Sequence, residues 1–384
     1  MNRDTELQLI DELLAIKAAK SFYLDETVTK NPVEHYLSED RFQLERDQIF
    51  KKVPMVAAHG SEMALPGDFL RREVAGLSIL LTRDKAGMVH AFLNACRHRG
   101  TRLVDDEKGC KHRFSCPYHA WTYANSGELI AAPHFEQGFG DLEKSDLGLV
   151  ELSCEERYGF IWVRVDEGID LDTHLAEIAG ELDALNMDDM VVVHQNAPIH
   201  KANWKILVEG GIEAYHFKVV HRSTIGPHFE DNLSSYRMLG SHMRSILMRT
   251  SMANLSDETR DSWRLRDHAQ VLYTLFPNTA LLVQSDHVAW INQEALSAGE
   301  TRVRMSTLVP KTDAERTEHW QRNHEITRVT LDEDFTIGES IQSTLSSGAN
   351  QDMLFGKFEG ALDAFNKVVE AHLVDPASQA VAAE

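Results

Sequence analysis

The chain has 384 residues, 43% hydrophobic and 26% charged, which is enough for more than one core and typical of a globular protein. Its formal net charge of −21 argues against a nucleic-acid partner, which needs a basic patch, and fits solubility or electrostatic choice of a protein partner. The first thirty residues hold acids and no cleavable apolar core, and no apolar run approaches the roughly 20 residues of a membrane span, so a cytoplasmic protein is expected.

Leu7, Ile10, Leu13, Leu14 and Ala18 recur at helical spacing and predict a helix over 5–19. From about 43 to 165, short apolar runs such as "GLSILLTR" and "YGFIWVRV" alternate with turn residues, which predicts a small all-β unit. Helical period returns over 173–185 through Leu175, Ile178, Leu182 and Leu185. "EGGIEAYHFKVVH", Glu209 to His221, carries two histidines five residues apart. On a regular helix that step turns about 500°, so the rings point about 140° apart. One shared ion would require the helix to break between His216 and His221. "HVAWINQEA" and "TRVRMSTLVP" read as strands of an antiparallel sheet. "TDAE" from Thr312 reads as a capping box opening a helical region to about 345, and a last helix is predicted over 359–373. The tail from 375 to 384 reads as disordered.

The four cysteines include two matched loops, "CRHRG" from Cys96 and "CPYHAW" from Cys116. Together they read C-x-H, seventeen residues, then C-x-x-H. Structural zinc accepts two cysteines and two histidines. So does a Rieske-type [2Fe–2S] centre, with two cysteines on one iron and two histidines on the other. Cys110 and His112 form a further C-x-H pair that spacing alone does not exclude.

The pattern C-x-H-R-G … C-P-Y-H-x-W resembles the Rieske domain of the Rieske non-haem iron oxygenases, the ring-hydroxylating oxygenase α-subunit family. The resemblance implies that Cys96 and Cys116 ligate one iron and His98 and His119 the other, with Cys110 and His112 outside the motif. Neither loop has the second cysteine of the respiratory Rieske proteins, which favours the oxygenase branch. The family places a mononuclear iron site downstream, introduced by N-W-K. Here Asn203, Trp204 and Lys205 precede Glu213, His216 and His221.

Non-haem iron that activates O2 takes two histidines and one carboxylate, with other positions open. Asp332, Glu333 and Asp334 are candidates for the carboxylate. Counting back from Gln342 as the family does selects Asp334, with Asp352 next. By the resemblance Glu213 is no iron ligand but an electron bridge, linking an iron-site histidine to a Rieske histidine of the next subunit. The family usually has Asp there, and a Glu resembles the carnitine monooxygenase-like members. Glu209 is the weaker alternative.

The implied fold class is α+β: an all-β Rieske domain plus a helix-grip (START-like) catalytic domain with an antiparallel sheet. The implied boundaries are 1–42 for an N-terminal helical segment of the catalytic domain, 43–165 for the Rieske domain, 166–374 for the catalytic domain and 375–384 for the tail. The chain shows no nucleotide-binding glycine motif, so electrons from NAD(P)H imply a separate reductase, with or without a ferredoxin. A homotrimer is the family expectation. The implied function is O2-dependent hydroxylation of a small organic substrate, including N-demethylation of a quaternary amine; Tyr273, Phe276 and Trp290 suit holding such a cation but read more readily as core. Hydroxylation or demethylation of an aromatic acid is the alternative. A Rieske electron-transfer protein without oxygenase activity is the alternative of another class.

Overall fold

The computed structural model describes residues 1–257 and 259–374; the tail expected to be disordered lies outside them. The chain divides into two compact units. One comprises Phe50–Leu171 with Met187–Asp189, and the other holds Met1–Ile49, Asp172–Asn186 and the chain from Met190 on. The fold is mixed α+β, with a β-rich first unit and a larger second unit built on an antiparallel sheet. No helix among the described residues is long and apolar enough to cross a membrane.

In the β-rich unit a seven-stranded antiparallel sheet lies with a three-stranded sheet, Arg113–Ser115, Thr122–Ala124 and Leu129–Ala131. Two hairpins of the larger sheet turn on two residues with positive φ, Ala75-Gly76 and Tyr158-Gly159. Such turns match the right-handed twist of the strands they join. At Gly159 a Cβ would also lie 2.7 Å from the Met187 backbone, so no larger residue fits.

The second unit carries an eight-stranded antiparallel sheet among its described residues. The two predicted strands are Val288–Ser297 and Glu300–Pro310, paired as a hairpin with Val288 opposite Leu308. Three helices matter for the site: Trp204–Ile212, the single turn Phe217–Val220, and the long helix Thr317–Leu345. Gly338 lets the long helix approach the first, since a Cβ there would lie 3.0 Å from Leu207.

Two sequence expectations are corrected. Thr312 caps no helix: it lies within a 3-10 turn, Lys311–Asp313, and the long helix starts at Thr317 with no side-chain cap. There the Trp320 indole N–H donates to the Asp313 carbonyl at 2.7 Å. The helix predicted over 173–185 is two short helices, Leu171–Leu175 and Ala179–Asp183. The chain tightens at Ile178, whose N–H bonds to the Leu175 carbonyl three residues back. Leu175, Ile178, Leu182 and Leu185 are still buried, because the apolar stripe reports which side faces the core and not whether the helix is continuous.

Candidate metal centres

The two cysteine loops are near copies of one another. In the first, the Cys96 N–H donates to the Thr101 carbonyl at 2.9 Å and the Gly100 N–H to the Cys96 carbonyl at 2.8 Å. In the second, Cys116 donates to Trp121 at 2.8 Å and Ala120 to Cys116 at 3.0 Å. Gly100 and Ala120, each four residues after its cysteine, both have positive φ. Cys96 and Cys116 are buried against Trp121, Tyr123 and Phe114, whereas His119 is exposed and His98 half-exposed. His98 Nδ1 and His119 Nδ1 lie 3.1 Å apart. Two cysteines inward and two converging ring nitrogens outward are the donor set of a [2Fe–2S] centre of mixed ligation.

Hydrogen bonds surround the sulfurs. The Tyr123 hydroxyl lies 3.4 Å from Cys96 Sγ and accepts from the Arg97 N–H at 3.0 Å. Burial pushes the Cys116 thiol up, but the Tyr118 and His119 amides outweigh it and hold it below its usual value. Cys110 and His112 stand apart from this arrangement: Cys110 is exposed on an edge strand, Lys108–Cys110, and His112 is exposed nearby.

The second centre begins with Asn203. Its side chain accepts from the Lys205 N–H at 3.0 Å and caps the helix Trp204–Ile212, while its amide donates to the Ala298 carbonyl at 2.8 Å. Trp204 and Lys205 both donate to the buried Glu45 carboxylate. All three residues of N-W-K therefore seat the helix rather than touch the site. Gly210 and Gly211 fall in its last turn, where glycine weakens a helix. The helix stops at Glu213, which is extended at φ −119° and ψ 161°.

The break thus comes before His216, not between the histidines as expected. His216 and His221 sit at the two ends of the single turn Phe217–Val220, with dihedrals of φ −77°, ψ −18° and φ −91°, ψ 20°. Freed from a continuous helix, both rings turn to one point, and His216 Nε2 and His221 Nε2 are 3.1 Å apart. Asp334, from the long helix, brings Oδ1 to 3.2 Å from the first and 2.9 Å from the second. His216, His221 and Asp334 form the metal-competent cluster found among the described residues.

Each histidine has its far nitrogen held by a carboxylate. His216 Nδ1 bonds Glu213, and His221 Nδ1 bonds Glu333 Oε2 at 2.7 Å. With Nδ1–H donated outward, both Nε2 atoms are lone-pair acceptors facing a carboxylate oxygen. Three converging acceptors need a cation, and ligands about 2.1 Å from an ion lie roughly 3 Å from one another. Burial alone would lower the His216 pKa, yet hydrogen bonds accepted from its ring by Asp334 and Glu213 push it up to about 10. The negative potential that favours a proton there favours a metal dication. Two histidines and one carboxylate on one face fit non-haem Fe(II).

Known proteins match this chain over both of these regions. The family model for the Rieske [2Fe-2S] domain matches residues 53–150, and that for the ring hydroxylating alpha subunit (catalytic domain) matches 187–375. This chain belongs to the Rieske-type ring-hydroxylating oxygenase α-subunits. A carnitine monooxygenase oxygenase subunit of Acinetobacter pittii is 33% identical over 205 residues, 53% of this chain and 54% of the relative. A glycine betaine monooxygenase oxygenase subunit of Pseudomonas aeruginosa is 32% identical over 191 residues, 50% of this chain and 44% of the relative. The matched region spans about half the length of these curated relatives. The crystal structure of a quaternary ammonium Rieske monooxygenase with L-carnitine superposes with a TM-score of 0.75 at 24% identity, over 89% of this chain and 95% of that one. At that identity the likeness is one of fold.

The other sequence candidates fall elsewhere in this α-subunit. Asp352 lies on the strand Asp352–Phe355, paired with Thr29–Pro32, and meets Lys30. Asp332 pairs with Arg328 on the outer face of the long helix. Glu209 is fully buried and accepts from Tyr36 at 2.7 Å and Asn366 at 2.8 Å, so it holds the core together. A cavity of about 420 Å³ opens onto His221 and Asp334, within the range of small-ligand pockets.

Tyr273, Phe276 and Trp290 do not line that cavity; they are buried in the core. Strand parity explains two of them: Leu272 and Thr274 face the cavity, so Tyr273 faces away, as Trp290 does between Ala289 and Ile291. Two functional candidates escaped the sequence reading. The sequence offers Glu333 only as a ligand candidate and does not single out Arg249 on the cavity wall. An acid one residue from a helical ligand would have hinted at the first; nothing local marked the second.

Proposed function

We propose that this chain is the terminal oxygenase of a Rieske-type system, hydroxylating a small organic substrate with O2 and with electrons from a separate NAD(P)H-linked reductase, with or without a ferredoxin. The observation that carries this is the convergence of His216 Nε2, His221 Nε2 and Asp334 Oδ1 within 3.2 Å, with His221 and Asp334 lining a cavity. A pure electron-transfer protein has no use for it. In this reading Cys96, His98, Cys116 and His119 hold the [2Fe–2S] cluster, and His216, His221 and Asp334 hold one Fe(II). When bound, these centres supply electrons and O2 activation.

The chain's own side chains orient and insulate. Glu213 and Glu333 keep both histidines in the Nδ1–H tautomer, and Leu207, Leu331 and Phe335 keep the cavity apolar near the iron site. Glu213 is also assigned the electron bridge to a Rieske histidine of a neighbouring subunit in a head-to-tail homotrimer. The catalytic unit is read as a helix-grip fold.

The substrate reading is oxidative N-demethylation of a quaternary amine. Its support is Glu at position 213 and the likeness to oxygenase subunits named for carnitine and glycine betaine. Hydroxylation at an N-methyl group would release formaldehyde. An aromatic acid is a second reading, favoured by one observation: Tyr273, Phe276 and Trp290 form no aromatic box in the cavity. The test is iron content followed by O2 uptake with a surrogate reductase, over a panel of N-methylated amines and aromatic acids. About three irons per chain and substrate-dependent uptake are expected. About two irons and no uptake would reject the oxygenase reading.

A further inference from the structure

One wall of the cavity carries a guanidinium that forms no ion pair among the described residues. Arg249 ends the strand His242–Arg249, opposite Phe229. Its Nη2 donates to Gln284 Oε1 at 2.6 Å, a neutral partner, and its guanidinium lies 5.7 Å from the centre of the Phe229 ring. Among the described residues it has no ion pair; Asp267 acts on it only through space. The remaining N–H donors of the guanidinium have no partner among the described residues. Arg249 is half-buried and a guanidinium keeps its proton, so the charge it holds on the cavity wall beside an amide and a ring is open to an anion.

The placement is informative. The Phe229 ring packs edge-on against Phe217 at 5.3 Å, and Phe217 against His221 at 5.0 Å. Arg249 is therefore two aromatic rings removed from the iron site, on the wall of the same cavity. Gln270 and Thr250 line the wall beside it, while the wall near Asp334 is Leu331 and Phe335. One region offers donors to an anion; the other is apolar and faces the metal centre.

From this we propose that Arg249 anchors a carboxylate of the substrate, so that the carbon to be oxidised lies toward His221 and Asp334 at the other end of the molecule. The word substrate rests on the oxygenase reading; the anchor itself is a binding site. The proposal selects within both substrate readings. A zwitterionic N-methylated amino acid or an aromatic acid fits, whereas an amine alcohol or a hydrocarbon leaves the guanidinium unpaired.

The test is calorimetric binding to the iron-loaded full chain, without O2 or reductase. The probes are trimethylammonium carboxylates of increasing chain length and aromatic carboxylates, each paired with its primary amide. At least one carboxylate should bind, and its amide about 10- to 100-fold more weakly, as for a hydrogen-bonded charge pair. Arg249→Gln should erase the preference and Arg249→Lys retain part of it, with iron content and unfolding temperature as in the parent. Comparing carboxylate with amide on the parent chain requires no variant to fold. Equal binding of acid and amide, an undiminished preference in Arg249→Gln, or no binding by any carboxylate would overturn the proposal. Selective binding without O2 uptake would instead keep the anchor and reject the oxygenase.

Discussion

Glu333→Ala should empty the mononuclear site while leaving the Rieske centre full. The carboxylate accepts from His221 Nδ1 at 2.7 Å and from Thr224 Oγ1 at 2.6 Å, so both its direction and the ring's tautomer are fixed. His221 is fully buried, whereas Glu333 is 26% exposed, so water can reach the space left by the truncation. The loss is therefore one of orientation and basicity rather than an unpaired buried nitrogen. Outer partners of metal-bound histidines are worth about 10- to 100-fold in affinity, or about 1.4–2.7 kcal/mol. The assay is iron retained after dialysis against graded chelator. Iron should fall from about three toward two per chain, with the visible Rieske spectrum unchanged. Asp332→Ala is the control, because its partner is Arg328 on the outer face of the same helix. Wild-type iron retention in Glu333→Ala, or equal loss in Asp332→Ala, would refute the assignment.

Glu213→Gln separates two roles: its amide oxygen can still accept from His216 Nδ1, so iron should stay while turnover falls at least about tenfold through loss of the bridging carboxylate. Full coupled turnover in that variant would reject the bridge. Tyr123→Phe removes the hydroxyl beside Cys96 Sγ, and the reduction potential of the cluster should fall by about 50–100 mV, because donors to sulfur favour the more negative reduced state. Potentiometric titration reads this directly, and an unmoved potential would mean the hydroxyl serves only Arg97. Burial raises the Glu209 pKa from 4.5 to about 7 against the hydrogen bonds from Asn366 and Tyr36. The folded value exceeds the unfolded one, so the stability is fully present below about pH 4.5 and is lost as pH rises through about 7. The loss approaches about 3 kcal/mol. Glu209→Gln should therefore gain on the parent in urea midpoint between pH 5 and 8; a pH-independent gap would show that the proton is not held.

Legibility followed sequence distance. The two cysteine loops close their hydrogen bonds within six residues, so their matched form was legible locally, although spacing alone left Cys110 and His112 open and only the residues flanking each loop set them aside. The hairpin of Val288–Ser297 with Glu300–Pro310 was equally local. What failed depended on the chain's path between elements. Thr312 has the side chain of a cap but lies inside a 3-10 turn. Leu175, Ile178, Leu182 and Leu185 marked a buried stripe correctly, yet the helix they imply breaks at Ile178. For Tyr273 and Trp290 the core reading holds, but the cavity reading could not be closed from sequence, because sheet parity relative to a cavity is invisible until the strand pairing is known.

The mononuclear site shows the same limit in three adjacent acids. On a helix, neighbours differ by about 100°. Asp332 therefore turns outward to Arg328, Asp334 turns in to both histidines, and Glu333 between them reaches only the far nitrogen of His221. Spacing from Gln342 pointed to Asp334 because Gln342 itself is pinned, accepting from the Asn203 N–H at 2.9 Å. That bond sets the long helix against the start of the helix that leads to the histidines. The separation of two residues in sequence could thus carry information about a site more than a hundred residues away. Arg249 has no such tether: it reaches the cavity through strand pairing alone, so only the assembled sheet brings it into the same space as the iron site.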